Sequence, residues 1–334
     1  MEDIFKDKNI IVTGGTGSIG SEIVRRILKY EPKVVRILSR DETKQFELEQ
    51  ELGNLDNIRF LIGDIRDKDR LKRAFEGIDI IFHAAAMKHV PACEYNPFEA
   101  VQTNVVGTQN VIDAAIANEV EKVIAISTDK AASPINTMGA TKLLAEKLII
   151  DANCYKGRRK TVFSCVRFGN VIGSRGSVIP LFEKQIQRGG PVTITDPEMT
   201  RFMMTIPQAV DLVFKATKLA FGGEIFIFKM PVVKLKDLAE IMIERFAPKY
   251  GYKNENIQIK VIGARKGEKM HEKLMLEEEA QFAYETNDMF IVIQQDEYNK
   301  YQPMNDWKGA NNIYKSDVAD LCSKKEIEHL LNKL

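Results

Sequence analysis

Asn9-Ile10-Ile11-Val12-Thr13, followed directly by Gly14-Gly15-Thr16-Gly17-Ser18-Ile19-Gly20, decides how the chain folds. The first five residues are a short apolar run of the kind buried inside a parallel sheet. From Ser21 to Tyr30, the apolar Ile23, Val24, Ile27 and Leu28 fall on one helical face, and Val34-Val35-Arg36-Ile37-Leu38 is a second strand run. Strand, glycine turn, helix and strand in that order make a dinucleotide-binding unit. The glycines permit a tight turn and close approach of backbone to a pyrophosphate, and the helix N-terminus turns its amides toward the anion.

Outward from this unit the alternation of strands and helices continues. Residues 58–62 are predicted as a strand ending at Gly63-Asp64-Ile65, and residues 78–82 as one ending at His83-Ala84-Ala85-Ala86, small enough to let a cofactor lie close. Met87-Lys88-His89-Val90-Pro91 is expected as a loop over the same edge. Helices are predicted over 97–117 and 139–152, and a strand over 161–168. The fold class is therefore α/β, a Rossmann-type doubly wound parallel sheet over residues 1–168 plus returning segments. A smaller, mixed α/β substrate-binding lobe is expected mainly over 169–290. There, helices are predicted over 207–219, 235–246 and 271–276, a short strand and loop over 193–202, and a strand over 257–262. A tail, 291–334, closes with a helix capped by Ser323.

After the second strand run, Ser39 and Arg40 precede Asp41, with Lys44 one turn on. A hydroxyl and a guanidinium there suit a ribose 2′-phosphate and favour NADP, with NAD as the alternative. Asp64 is expected near the adenine.

A second stretch concentrates the chemistry: Ile126-Ser127-Thr128-Asp129-Lys130, then a break at Ser133-Pro134, then Met138-Gly139-Ala140-Thr141-Lys142. Hydroxyl, carboxylate and amine thus sit where a parallel strand ends, which is where open α/β sheets build their sites. Lys142 is expected in the first turn of the following helix.

Composition sets bounds. The 334 residues are 44% hydrophobic and 28% charged with a net charge of +1, an ordinary globular balance that favours neither nucleic acid nor membrane as partner. No basic-then-apolar export pattern opens the chain and no apolar run is long enough to span a bilayer, so a cytoplasmic protein is expected. Cys93, Cys154, Cys165 and Cys322 are scattered and expected reduced; neither they nor His83, His89, His271 and His329 have metal-ligand spacing, so no metal is expected.

Gly14-x-x-Gly17-x-x-Gly20, Asp64, His83-Ala84-Ala85-Ala86 and Met138-x-x-x-Lys142 together resemble the extended short-chain dehydrogenase/reductases. Within them the chain resembles nucleotide-sugar 4,6-dehydratases acting on UDP-N-acetylglucosamine, through Ser39-Arg40-Asp41-Glu42, Lys88-His89-Val90-Pro91, Ser127-Thr128-Asp129-Lys130-Ala131, residues 169–177, Met199-Thr200-Arg201-Phe202 and Arg265-x-Gly267-Glu268-Lys269. Those matches run from Thr13 to about Leu276. One departure stands out: the superfamily's tyrosine four residues before the lysine is Met138 here, and a thioether carries no proton. Two readings follow, a non-catalytic member or a member of the dehydratase subset with methionine at that place. The retained Asp129-Lys130 pair favours the second.

The resemblance implies a lyase of polysaccharide or glycan biosynthesis that oxidises C4, removes the C5 proton as the C6 hydroxyl leaves, and returns hydride to C6. In it Thr128 relays the C4 hydroxyl proton, Asp129 as a protonated carboxyl is the acid at C6, Lys130 as an uncharged amine is the base at C5, and Lys142 tunes Thr128 and holds the nicotinamide ribose. Cofactor contacts are expected from Gly14, Thr16, Gly17, Ser18, Ile19, Gly20, Ser39, Arg40, Lys44, Asp64, Ile65, Ala84, Ala85, Lys88, Asn104 and Lys142. Substrate contacts are expected from Lys88, His89, Met138, Asn170, Arg175, Val178, Arg201, Arg265 and Glu268, the arginines for diphosphate. The partner is a nucleotide sugar, uridine- or guanosine-linked, and a homo-oligomer, dimer or larger, is expected. A 4-epimerase or reductase and a non-catalytic cofactor-binding protein stand as alternatives.

Overall fold

β1 (Asn9–Thr13) sits mid-sheet between β2 (Val34–Ser39) and β4 (Ile80–His83), and the strand order reverses direction there. The computed structural model describes residues 4–264, 267–294, 307–310 and 313–333. β2 pairs onward with β3 (Ile58–Ile62), while β4 pairs with β5 (Lys122–Thr128) and β5 with β6 (Val162–Phe168). Three short strands follow, β7 (Asn170–Ile172), β8 (Val192–Ile194) and β9 (Thr200–Thr205), before β10 (Ile225–Phe228) returns to pair with β6. The order β3-β2-β1-β4-β5-β6-β10 is parallel throughout, a doubly wound Rossmann sheet. An antiparallel hairpin, Ala283–Glu285 and Met289–Val292, extends the β10 edge.

The strands are apolar on both faces because helices cover both. Ile10, Ile11, Val12, Ile81, Phe82, Val123, Ile124 and Phe163 are wholly buried in one continuous core. A second cluster, with Ile179, Phe182, Ile186, Met203, Leu238, Met242 and Leu330, lies under α-helices Val178–Gln187, Leu235–Phe246 and Lys324–Leu331. Ser323 caps that last helix with a reciprocal bond to Glu326. Arg167 on β6 is fully buried, yet its guanidinium meets the carboxylates of Glu146 and Glu279, tying sheet, helix and the segment after residue 276 together.

Several expectations need correction. Residues 271–276 do not form a helix: Lys273–Met275 is a strand paired antiparallel with Tyr314–Lys315. The glutamate, lysine, leucine and methionine of that stretch are good helix formers, and a distant pairing overrides them. The stretch expected as a loop at 87–91 already enters a helix at Val90–Tyr95. The helix expected over 97–117 is interrupted: Pro97–Val101, then a π-turn at Gln102–Val106, then Gly107–Ala117. The helix expected from 139 begins at Thr137, capped by Asn136, and so carries Lys142 in its second turn. Among the described residues, no helix is long and apolar enough to cross a membrane.

Candidate active site

The glycine turn closes tightly on its neighbours. Gly14 has φ +66°, and a Cβ there would lie 2.7 Å from the Ala85 amide nitrogen; one on Gly20 would lie 2.3 Å from the Gly14 carbonyl oxygen. The turn therefore abuts the end of β4 and leads straight into helix Ser18–Ile27, a backbone cradle that fits a dinucleotide pyrophosphate. At the tip of β2, Ser39 Oγ lies 2.8 Å from Thr16 Oγ1. The Arg40 guanidinium is mostly exposed, 3.4 Å from Asp64, and Lys44 is tied to Asp41, which caps the next helix.

A cleft of about 1030 Å³ runs from this turn along the C-terminal ends of β1, β4 and β5 to β9. All the expected cofactor and substrate residues within the described chain line it except Asn104; Arg265 lies outside the described residues. Asn104 stands in the π-turn and acts one layer back: its side chain accepts from Met87 N (2.8 Å) and donates to Met87 O (3.0 Å) and Thr141 Oγ1 (3.0 Å), fixing the loop before Lys88. Beneath the sheet ends, His83 is buried between Thr13 Oγ1 (2.8 Å) and Thr108 Oγ1 (3.1 Å). Burial, with Lys142 nearby, pushes its pKa down to about 3 and keeps the ring neutral.

β5 delivers the reactive groups. Thr128 Oγ1 donates to Asp129 Oδ1 at 2.6 Å, and Lys130 Nζ donates to the same carboxylate at 3.0 and 3.2 Å. Asp129 is wholly buried and does not itself line the cleft; Thr128 and Lys130 do. Helix Thr137–Tyr155 can pack against this turn because residue 139 is glycine, whose Cβ would fall 2.4 Å from Lys130 O. Met138 is buried against Cys93 and Ala100 at the cleft wall. Lys142 Nζ donates to Ile126 O at 2.6 Å, and burial holds its pKa below the ordinary lysine range.

Lys130 departs from expectation. Burial pulls its pKa down, but the Asp129 and Glu272 carboxylates outweigh burial and hold the resting amine as an ammonium. Glu272, invisible to the sequence reading, is the missed residue: it is buried, lines the cleft, and lies 3.7 Å from Lys130 Nζ and 3.9 Å from Arg201 Nε. Its nearness in sequence to Gly267-Glu268-Lys269 was the available signal.

On the far wall, Arg201 is held by Thr200 O, Met270 O and Glu268. Asn170 Nδ2 donates to Phe202 O at 3.3 Å. Arg175, expected at the substrate diphosphate, lines the cleft and leans on the glycine turn: its guanidinium donates to Thr16 O and its backbone amide to Ser18 Oγ (3.1 Å), while Lys88 Nζ donates to Arg175 O (2.8 Å). His89 fills the space beside Gly176, where a Cβ would come within 2.5 Å of its ring.

Residues 10–294 match the family described as polysaccharide biosynthesis protein. The chain belongs to that family. The chain is 58% identical to a Methanocaldococcus jannaschii protein named as an uncharacterized membrane protein, across 100% of this chain and 98% of the relative. It is 45% identical to the inverting UDP-N-acetylglucosamine 4,6-dehydratase of Campylobacter jejuni, covering 86% of this chain and 84% of that one. Over the same shares it is 44% identical to a UDP-glucose 4-epimerase of Rickettsia rickettsii. The X-ray structure of Pen from Bacillus thuringiensis superposes with a TM-score of 0.91 at 51% identity, covering 99% of this chain and 98% of that one. The chain is an extended short-chain dehydrogenase/reductase, and the Campylobacter jejuni and Rickettsia rickettsii relatives are named as a nucleotide-sugar dehydratase and a nucleotide-sugar epimerase.

Proposed function

We propose that the chain is a nucleotide-sugar 4,6-dehydratase that converts UDP-N-acetylglucosamine to the 4-keto-6-deoxy sugar, with NADP on residues 1–168 and the sugar nucleotide mainly on 169–290. The observation that carries this reading is the Thr128–Asp129–Lys130 cluster at the mouth of β5, beside a methionine that transfers no proton. When bound, NADP supplies a hydride acceptor that is restored within each turnover.

The chain's own groups supply the proton chemistry. Thr128 takes the C4 hydroxyl proton and passes it to Asp129, a route supported by their 2.6 Å bond. The C4 ketone acidifies C5, whose proton goes to Lys130. The C6 hydroxyl leaves as water with the proton held on Asp129, which reaches the sugar through Thr128 because it is itself shut off from the cleft. Lys142, carbonyl-bound at the base of the cleft, holds the cofactor ribose and favours ionisation of the C4 hydroxyl. Gly14, Gly17 and Gly20 hold the pyrophosphate, and Arg40 with Ser39 holds the 2′-phosphate.

The second reading, a 4-epimerase, rests on relatives carrying that name. Epimerisation needs no acid and base at C5 and C6, and it misses the tyrosine that Met138 replaces. Incubation with UDP-N-acetylglucosamine, followed by NMR in deuterated water, separates the two. A 4-keto-6-deoxy product without net cofactor reduction supports the dehydratase, and a C4 epimer without water loss overturns it. Lys130→Ala should abolish the product while cofactor binding persists.

A further inference from the structure

Glu272 stands in an unusual setting for a carboxylate. It is 3% exposed, it faces the cleft, and its Oε2 has no hydrogen-bond partner among the described residues. The groups around it come from separate elements. Lys130 Nζ, from the turn after β5, is 3.7 Å from Oε1; Arg201 Nε, from β9, is 3.9 Å from Oε1; Lys269 Nζ, from its own segment, is 4.0 Å from Oε2. Asp129 approaches from behind Lys130, and Glu268 shares Arg201. Every one of the three cations sits just beyond direct hydrogen-bond reach, so Glu272 is charge-balanced but not locked. Its backbone is locked: Glu272 N donates to Ser316 Oγ, which bonds Thr200 and through it His271, while Lys269 Nζ holds Ala132 O and Asn136 holds Gly267 O. A carboxyl with one oxygen left open, on a fixed backbone beside the Lys130 amine, has the geometry of a proton store.

The proton count of the dehydratase reading, on which this inference rests, calls for such a store. At rest Asp129 accepts from the Thr128 hydroxyl and pairs with the Lys130 ammonium. The C4 hydroxyl proton arriving on Asp129 makes the acid needed at C6, but it leaves Lys130 protonated and unable to accept the C5 proton. We propose that Glu272 is a positioning residue for this reaction: it takes the ammonium proton of Lys130 as C4 is oxidised and returns it when turnover ends. The count then closes. After C4 oxidation Asp129 and Glu272 are neutral acids and Lys130 a free amine. Elimination puts the C5 proton on Lys130 and sends the Asp129 proton out in the water. Reprotonation at C5 from Lys130 frees its amine again, the Glu272 proton goes back to it, and the three groups stand as they began. Burial, which raises the pKa of Glu272 against the pull of Lys130, suits it to hold a proton.

The test compares Glu272→Gln and Glu272→Asp with the parent chain, using UDP-N-acetylglucosamine and NADP and following reduced nicotinamide, deuterium uptake at C5, product and pH profile. Glu272→Gln should still bind cofactor and still oxidise C4 on mixing. Its deuterium uptake and product formation should fall about 100-fold, and its acidic limb should move to higher pH, where Lys130 loses its proton to solvent instead. Glu272→Asp should recover a large part of the loss. Product formation within about threefold of the parent with the same pH profile overturns the inference. So does an equal loss of C4 oxidation and elimination with no movement in pH, since that is what a structural role predicts. If Glu272→Gln does not fold, Glu272→Asp decides, because its longer gap to Lys130 should slow elimination but not C4 oxidation. A parent chain that makes no 4-keto-6-deoxy product overturns the dehydratase reading itself, whereas parent turnover with an unaffected Glu272→Gln overturns only the proton store.

Discussion

Thr128 Oγ1 gives its hydrogen to Asp129 Oδ1 across 2.6 Å, and Asp129 has no surface of its own in the cleft. Any proton that moves between the sugar and this carboxylate by the shortest path therefore crosses the threonine hydroxyl. Thr128→Val should lower kcat by about 100-fold or more while leaving KM for the nucleotide sugar within a few-fold. Thr128→Ser, which keeps the hydroxyl, should stay within about tenfold of the parent. Steady-state kinetics on UDP-N-acetylglucosamine checks both.

Met138 occupies the place where a proton-carrying tyrosine would be expected, yet it is packed against Cys93 and Ala100 in a small apolar cluster. It packs in that cluster and also lines the cleft. Met138→Leu should keep turnover within about threefold, as volume-conserving core exchanges do. Met138→Tyr should cost about 1–3 kcal/mol of stability through overpacking, read from a urea midpoint, and should not raise activity.

Arg40 and Ser39 stand at the tip of β2, where the proposed NADP would set its ribose phosphate. Arg40→Ala should weaken NADP by about tenfold, the worth of one charge-assisted contact, and leave NAD almost unchanged. Fluorescence titration with each dinucleotide gives the ratio. Equal losses for both would assign Arg40 to the adenine and remove the ground for NADP.

His83 makes stability depend on pH. Its pKa is about 3 in the fold, lowered by burial and by Lys142 from an ordinary 6.5. The unfolded chain therefore binds the extra proton first as pH falls. The stabilisation is complete above about pH 6.5 and is lost on the way down toward pH 3, at up to about 1.4 kcal/mol per pH unit. Urea midpoints between pH 7 and pH 5 should fall accordingly, and His83→Asn should flatten that slope.

The cofactor half of the molecule could be read from the chain because its signals are local. The run at 9–13, the glycines, the helix face of Ile23, Val24 and Ile27, and strand 58–62 each lie within a few residues of what they pack against, and the structure returns them nearly residue for residue. The cluster after β5 was visible for the same reason. What the sequence hid depends on chain segments far apart. Lys273–Met275 is a strand only because Tyr314–Lys315 pairs with it. Glu272 is close to Lys130 only because two lobes meet there. Arg175 was expected at the substrate; it lines the cleft, and its contacts to Thr16 and Ser18, which the sequence did not show, come from the path of the backbone after β7. The full burial of Asp129 is likewise a matter of tertiary packing, which residue types alone do not record.

The bridge from Arg175 to the glycine turn has a kinetic meaning. It sets the segment after β7 against the glycine turn, at the edge of the same cleft. On the dehydratase reading proposed above, the hydride carrier is regenerated on every cycle, and a contact of this kind would slow its exchange with the pool outside.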